Sequence, residues 1–110
     1  MKIKTSELIG AALDWAVVRS NYEINFQEVW DNFRGECGYS VDWQQGGPII
    51  EREKMGVFPT HDGWAAGMQS GPTPLIAAMR CYVASQLGDE VEVPFDVALD
   101  SLIYETGDDE

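Results

Sequence analysis

Arg80 is the side chain of this sequence with the most chemistry to account for. It stands four residues after Ile76 and four before Ala84, within a stretch, Pro74–Leu87, in which almost every other residue is apolar or small. Helical spacing puts its guanidinium beside the apolar stripe, where it needs an anionic partner. That partner is either a carboxylate of this protein or a group on a ligand. Arg52 is a second cation, in Ile49–Glu53, which reads as a strand. If Ile50 faces inward, Arg52 shares its face by the two-residue period; otherwise it is a surface ion-pair residue. Between Asp42 and Pro48 the run Trp-Gln-Gln-Gly-Gly reads as a loop. Gly46 and Gly47 let backbone N–H groups approach a ligand there, and Trp43 offers a stacking face or a lid on the core. Trp64, after a turn at Gly63, has the same two readings.

The helix carrying Arg80 is punctuated at both ends. Thr73 supplies an N-cap oxygen, Pro74 takes the first helical position and Gly88 gives the stop. Its N-terminus has unpaired N–H groups and a positive dipole end, which suit a phosphate or carboxylate. Taken together, Trp43, Gly46, Gly47, Arg52, Trp64, Thr73 and Arg80 contain the parts of a nucleotide-sized pocket. Such pockets are often closed at a subunit interface, so a homo-oligomer is expected.

Signatures of catalysis are poor. His61 is the single histidine and His61-Asp62-Gly63 reads first as a turn. Neither Cys37 nor Cys81 has a partner in sequence that would activate it, and their spacing fits no metal site; two buried thiols are expected rather than a disulfide. There is no Gly-x-Ser-x-Gly and no phosphate-binding loop ending in Lys-Ser/Thr. Glu51 and Glu53 are a solvated pair on one strand face. The expectation is a protein that is not an enzyme, with no metal and no cofactor.

The elements that must position these residues follow from periodicity. Met1–Lys4 alternates as a short strand. Thr5 or Ser6 can cap a helix to about Arg19, on which Leu8, Ala12 and Trp15 share a face. A second helix starts at an Asn25 cap, repeats Phe26, Val29, Trp30 and Phe33 as core, and closes at Gly35. From Gly38 to Met68, six glycines and two prolines separate short apolar patches: Ile49-Ile50, Met55–Phe58 and Trp64–Ala66. These read as strands of an irregular antiparallel sheet. Val91 and Val93 alternate with glutamates in a last strand that ends at Pro94. The picture is α+β: a small irregular antiparallel sheet packed against two to three helices in a single domain, residues 1–94. Phe95–Tyr104 reads as a short helix or a docking segment, opening an acidic C-terminal segment, 95–110, partly disordered or docking.

With 110 residues and 45% apolar composition, the chain can bury a real core. Its formal charge of −12 is unevenly placed. Up to Gly88 there are seven basic and ten acidic side chains; from Asp89 onward there are nine acids and no base. That tail repels phosphates, which argues against nucleic-acid binding. It is either a solvated segment or an acidic patch that docks a basic partner or imitates DNA. No export signal is visible, and the apolar run Leu8–Val18 is cut by Asp14 and too short to span a bilayer.

Several segments carry a resemblance to a known family: Met1 to Leu8, Leu13-Asp14-Trp15-Ala16, Asp42-Trp43 through Gly46-Gly47-Pro48-Ile49-Ile50-Glu51-Arg52-Glu53, Thr73 through Ser85, and Gly88 through Pro94. Over Met1–Pro94, least closely in Tyr22–Tyr39, the chain resembles the NinX-type phage proteins. The resemblance implies a protein of a tailed bacteriophage or prophage that acts inside the bacterial host. It brings no catalytic residue. Two routes of interference with the host fit these residues. One is a cytoplasmic sponge that sequesters a small, phosphate-bearing, nucleotide-like immune signal, in the general style of phage proteins opposing Thoeris or CBASS. The other is an acidic inhibitor or DNA mimic that blocks a host protein. The first explains the mixture of aromatics, glycines and arginines, and is the leading expectation; the second explains the charge asymmetry.

Overall fold

The computed structural model describes residues 1–22, 24–33 and 36–107, with side chains given as far as Ser101. A first strand, β1 (Lys2–Lys4), passes through a 3-10 turn (Thr5–Glu7) into three helices: α1 (Gly10–Asn21), α2 (Phe26–Phe33) and α3 (Trp43–Glu53). A meander of β2 (Phe58–Thr60), β3 (Gly63–Ala66) and β4 (Gln69–Gly71) follows. The chain then forms α4 (Pro74–Leu87), β5 (Glu90–Glu92) and α5 (Phe95–Gly107). The architecture is α+β, with two small antiparallel sheets in place of one. β2, β3 and β4 pair in sequence order, and β1 pairs with β5, setting Ile3 opposite Val91.

Two apolar helices, α1 and α4, form the centre. α1 is buried continuously from Ala12 to Val18 and α4 from Leu75 to Arg80, then at Tyr82 and Val83. Helices this apolar around their circumference must be covered on several sides. α1 packs against α4, α2 and α5, whereas α4 also carries α3 and the meander. The ends of α4 follow the sequence reading: Thr73 Oγ1 accepts from the Ile76 N–H at 3.1 Å, and Gly88 leaves the helix with φ 90°. The two-residue turn Gly67-Met68 joins β3 to β4 with Gly67 at φ 58°, as a type II′ hairpin needs at its first central position.

Four differences from the sequence reading have physical causes. First, Trp43–Glu53 is a helix, not a loop followed by a strand, although Gly46, Gly47 and Pro48 lie inside it. Pro48 removes one intrahelical bond, a penalty of about 3 kcal/mol in an isolated helix. Tertiary contacts offset it. Asp42 caps the helix by accepting from the Gln44 N–H at 2.9 Å, Gln45 ties back to Gly38 and Glu36, and Ile49 is buried. Second, Thr5 does not cap α1. Its hydroxyl donates to the Gly88 carbonyl at 2.6 Å and its N–H to the Asp89 carbonyl at 2.7 Å, so the segment fastens the α4–β5 corner and α1 starts later, at Gly10. Third, Phe33 is 53% exposed; of the α2 residues expected in the core, Trp30 is the one fully buried. Gly35, the expected end of that helix, lies outside the described residues. Fourth, strand β2 begins at Phe58 rather than Met55.

The C-terminal segment opens with a docked helix. Val97, Ala98 and Ser101 are buried against α1, and Ser101 Oγ both donates to the Ile9 carbonyl and accepts from the Ala12 N–H. Among the described residues no helix is long and apolar enough to cross a membrane.

The two adjacent glycines of α3 have opposite surroundings. A Cβ at Gly46 would lie 2.5 Å from both Leu75 Cδ1 and the Tyr39 carbonyl oxygen; one at Gly47 meets nothing nearer than Trp43 at 3.8 Å. Gly46→Ala is therefore expected to destabilise by about 1–2 kcal/mol, overpacking outweighing the better helix propensity. Gly47→Ala is expected to stabilise by roughly 0.5–1 kcal/mol. Urea denaturation midpoints of the two variants check this.

Candidate functional site

Of the seven residues that sequence reading gathered into one pocket, two line a common surface. Trp43, 55% exposed at the start of α3, and Thr73, at the start of α4, face each other across a shallow depression of 200 Å³ completed by Ser40, Val41 and Leu75. Gly46 lies beneath it, where its missing side chain admits Leu75 and the Tyr39 carbonyl; the close approach it permits is helix packing. Gly47 is one position further along α3. Arg52 sits at the other end of α3. Its guanidinium holds Glu53 at 2.9 Å, Tyr82 Oη at 3.2 Å and Asn21 Oδ1 at 3.3 Å, and Tyr82 in turn donates to Asn21 at 2.6 Å. Tyr82 is nine residues beyond Thr73, about 13 Å along the helix at 1.5 Å per residue. Trp64 is half-buried on β3, opposite Pro59 and Gly71, and packs against the core.

Arg80 is 9% exposed. Its Nε donates to the Leu8 carbonyl and one terminal nitrogen to the Ser70 carbonyl, both at 2.8 Å. Two of the guanidinium's partners are thus backbone carbonyls. One belongs to the turn before α1 and the other to strand β4. Removing the side chain leaves buried acceptors unmet and a void between three elements.

The depression at Trp43 continues, through the shared residues Ser40, Val41, Thr73 and Ile76, into a deeper cleft of 450 Å³. Its walls are apolar, from Ile9, Ala11, Trp30, Val41 and Ile76, and Asp14, Cys37, Ser40, Thr73 and Asp100 are its polar groups. One groove therefore runs from Trp43 to Asp100. It is bounded by α1, α2, α4, α5 and the loop before α3.

Asp14 is the unusual group. It is 8% exposed in the middle of α1, and its Oδ1 accepts from the Ser40 N–H at 2.9 Å. Burial raises its pKa from 3.8 to about 6, and the Ser40 hydrogen bond opposes only part of that rise. The Cys37 thiol is pushed up as well, by burial first and then by the charges of Asp14 and Glu36. A thiol held protonated in this way is a poor nucleophile. Both cysteines are half-buried free thiols. His61 is exposed in the tight turn between β2 and β3, and no group of metal-binding side chains is found among the described residues.

Asp14, Trp30, Cys37, Ser40, Val41 and Asp100 were not part of the sequence-derived site. Asp14 had a visible signal: it is the one charge inside the apolar run Leu8–Val18, the counterpart of Arg80 in α4. The others converge only through packing.

Fold and groove together define a small α+β protein with an apolar, carboxylate-bearing cleft. The family model described as bacteriophage P22 NinX matches residues 4–86, and the chain belongs to this phage family. A comparison with curated proteins finds no match.

Two predictions follow from the charged pair of helices. Between about pH 4 and pH 6 the folded chain binds a proton at Asp14 that the unfolded chain releases. The associated stability is fully present below 3.8 and lost as pH rises through about 6. Asp14→Asn keeps an acceptor for the Ser40 N–H, so it is expected to match the parent near pH 4 and to exceed it by about 2–3 kcal/mol near pH 8. Denaturation as a function of pH reads the crossover. Arg80→Ala is expected to cost about 3 kcal/mol and to lower the melting temperature in calorimetry.

Proposed function

We propose that this phage accessory protein acts in the cytoplasm of the bacterial host as a non-catalytic inhibitor, and that the groove from Trp43 to Asp100 captures a host protein. The supporting observation is the sign of the groove's charge. Among the described residues that line it, the charged ones are the carboxylates Asp14 and Asp100. Val41, 68% exposed, and Trp43 add apolar contact area at the outer end. Aromatic and aliphatic anchors of this kind, beside a polar rim, are what a protein partner uses. The nine acids after Gly88 make the C-terminal part of the sequence strongly negative, which would speed encounter with a basic surface.

A second reading, sequestration of a nucleotide-like signal by a homo-oligomer, draws on Trp43 standing beside the capped N-terminus of α4. It requires a cation for the phosphate, and neither sequence-derived arginine lines the groove.

Photo-crosslinking from position 41 in phage-infected cells, paired with native mass spectrometry of the recovered protein, separates the two. The capture reading expects a protein adduct that disappears when Trp43→Ala is added. A retained small molecule of nucleotide mass, with no protein adduct, would replace it by the sponge. The same spectra count the subunits.

A further inference from the structure

We infer that the deep half of the groove is a receptor for one primary carboxamide, an asparagine or glutamine side chain of the captured host protein, with its carbonyl on the start of α1 and its amino group on Asp14. The inference rests on the capture reading and specifies its chemistry. The start of α1 has no cap of its own: Ile9 stands at the N-cap position, where a hydrocarbon side chain accepts nothing. Of the first-turn N–H groups, that of Ala12 is bonded to Ser101 Oγ and that of Leu13 to the Ile9 carbonyl. Those of Gly10 and Ala11 have no partner among the described residues, and both residues line the cleft.

Ser40 is an independent sign that an acceptor is received there. It is 2% exposed and lines both the deep cleft and the depression at Trp43. Its Oγ lies close enough to the Asp14 carboxyl to lower that group's pKa, but forms no hydrogen bond with it or with any other described residue. A buried hydroxyl left unmet carries a desolvation penalty that an entering carbonyl removes. Asp14 supplies the opposite capacity. Its Oδ1 accepts from the Ser40 N–H, which leaves the second carboxyl oxygen for a donor.

Donors and an acceptor in one cleft select against a simple ion. A carboxylate or phosphate approaching the two N–H groups meets the Asp14 charge, and an ammonium drawn to Asp14 meets the positive end of the α1 dipole. A neutral group with an acceptor and a donor side by side satisfies both. Asp14 stands four residues after Gly10, on the same helix face and about 6 Å along the axis. A hydroxyl has one atom for the two tasks, whereas a primary carboxamide carries an oxygen and a nitrogen on one carbon. A main-chain peptide group has both atoms but points them in opposite directions. The short methylene stem of the side chain lies along the apolar walls of Ile9, Trp30 and Ile76. Asp100 lines the cleft too, but it has a partner within the protein and takes no part.

The test is NMR titration of the labelled protein near pH 7.5, where Asp14 is mostly ionised, with butyramide against three isosteres: methyl propyl ketone, which lacks the donor, butyrate and butylammonium. Expected are saturable shifts at the backbone amides of Gly10, Ala11 and Ser40. Butyramide should bind about tenfold more tightly than the ketone, because a hydrogen bond to a charged acceptor is the stronger kind, and more tightly than either ion. Asp14→Asn, which puts an amino group where the second carboxyl oxygen was, should erase the preference for butyramide over the ketone. Ser40→Ala should weaken both ligands. Equal binding of the ketone, a preference unchanged in Asp14→Asn, affinities unmoved by Ser40→Ala, tighter binding of either ion, or no shift at these amides would each overturn the proposal. No host protein enters these titrations, so the capture reading is tested apart from them. A position-41 protein adduct that forms equally in Asp14→Asn would keep the capture face and remove the carboxamide receptor. Butyramide selectivity without any protein adduct would remove the captured protein as the source of the amide.

Discussion

The fold depends on one guanidinium placed where almost everything else is hydrocarbon. Arg80 leaves the middle of α4 and bonds two carbonyl oxygens, one from the turn ahead of α1 and one from β4. These segments have no regular secondary structure in common, so no ladder could join them. A hydrogen-bonding head on a long stem can, and charge-assisted bonds to carbonyls are stronger than neutral ones. α1 and the meander are thereby fixed on either side of α4. The groove lies where α1 and α4 begin.

A polar group inside each central helix gives the two helices different tasks. Arg80 is satisfied by the fold and serves as a tie. Asp14 accepts one backbone N–H, lines an open cleft and holds its proton more tightly than a solvated carboxyl does. A buried acid of this kind reduces stability at neutral pH. Asparagine could accept the same hydrogen bond at lower cost, so the packing around this position does not by itself call for an ionisable group.

Local signals made much of the fold legible. Thr73, Pro74 and Gly88 delimited α4 because capping chemistry is local, and the alternation around Val91 marked β5 for the same reason. The Gly-Gly-Pro run in α3 misled for an equally physical reason. Breaker residues dominate an isolated segment, but here they are overruled by contacts from outside the run, from Leu75 on α4 and from Glu36 and Tyr39 in the preceding loop. The candidate site was less legible still. Trp43 and Thr73 were found because their types announce themselves; Ser40, Val41 and Asp100 are ordinary residues until folding sets them around Asp14. The family membership places the chain among phage proteins.

The short ladder of β1 with β5 bears on how the groove comes into being. Thr5 and Gly88, which bond beside it, are 83 positions apart, and each strand has three residues. Closing so long a loop for so few bonds is entropically expensive, so the ladder draws its stability from the packing of α1, the meander and α4, which holds the ends near. α5 comes directly after β5 and carries Asp100, so one wall of the groove is anchored through the meeting of the chain's two most distant strands.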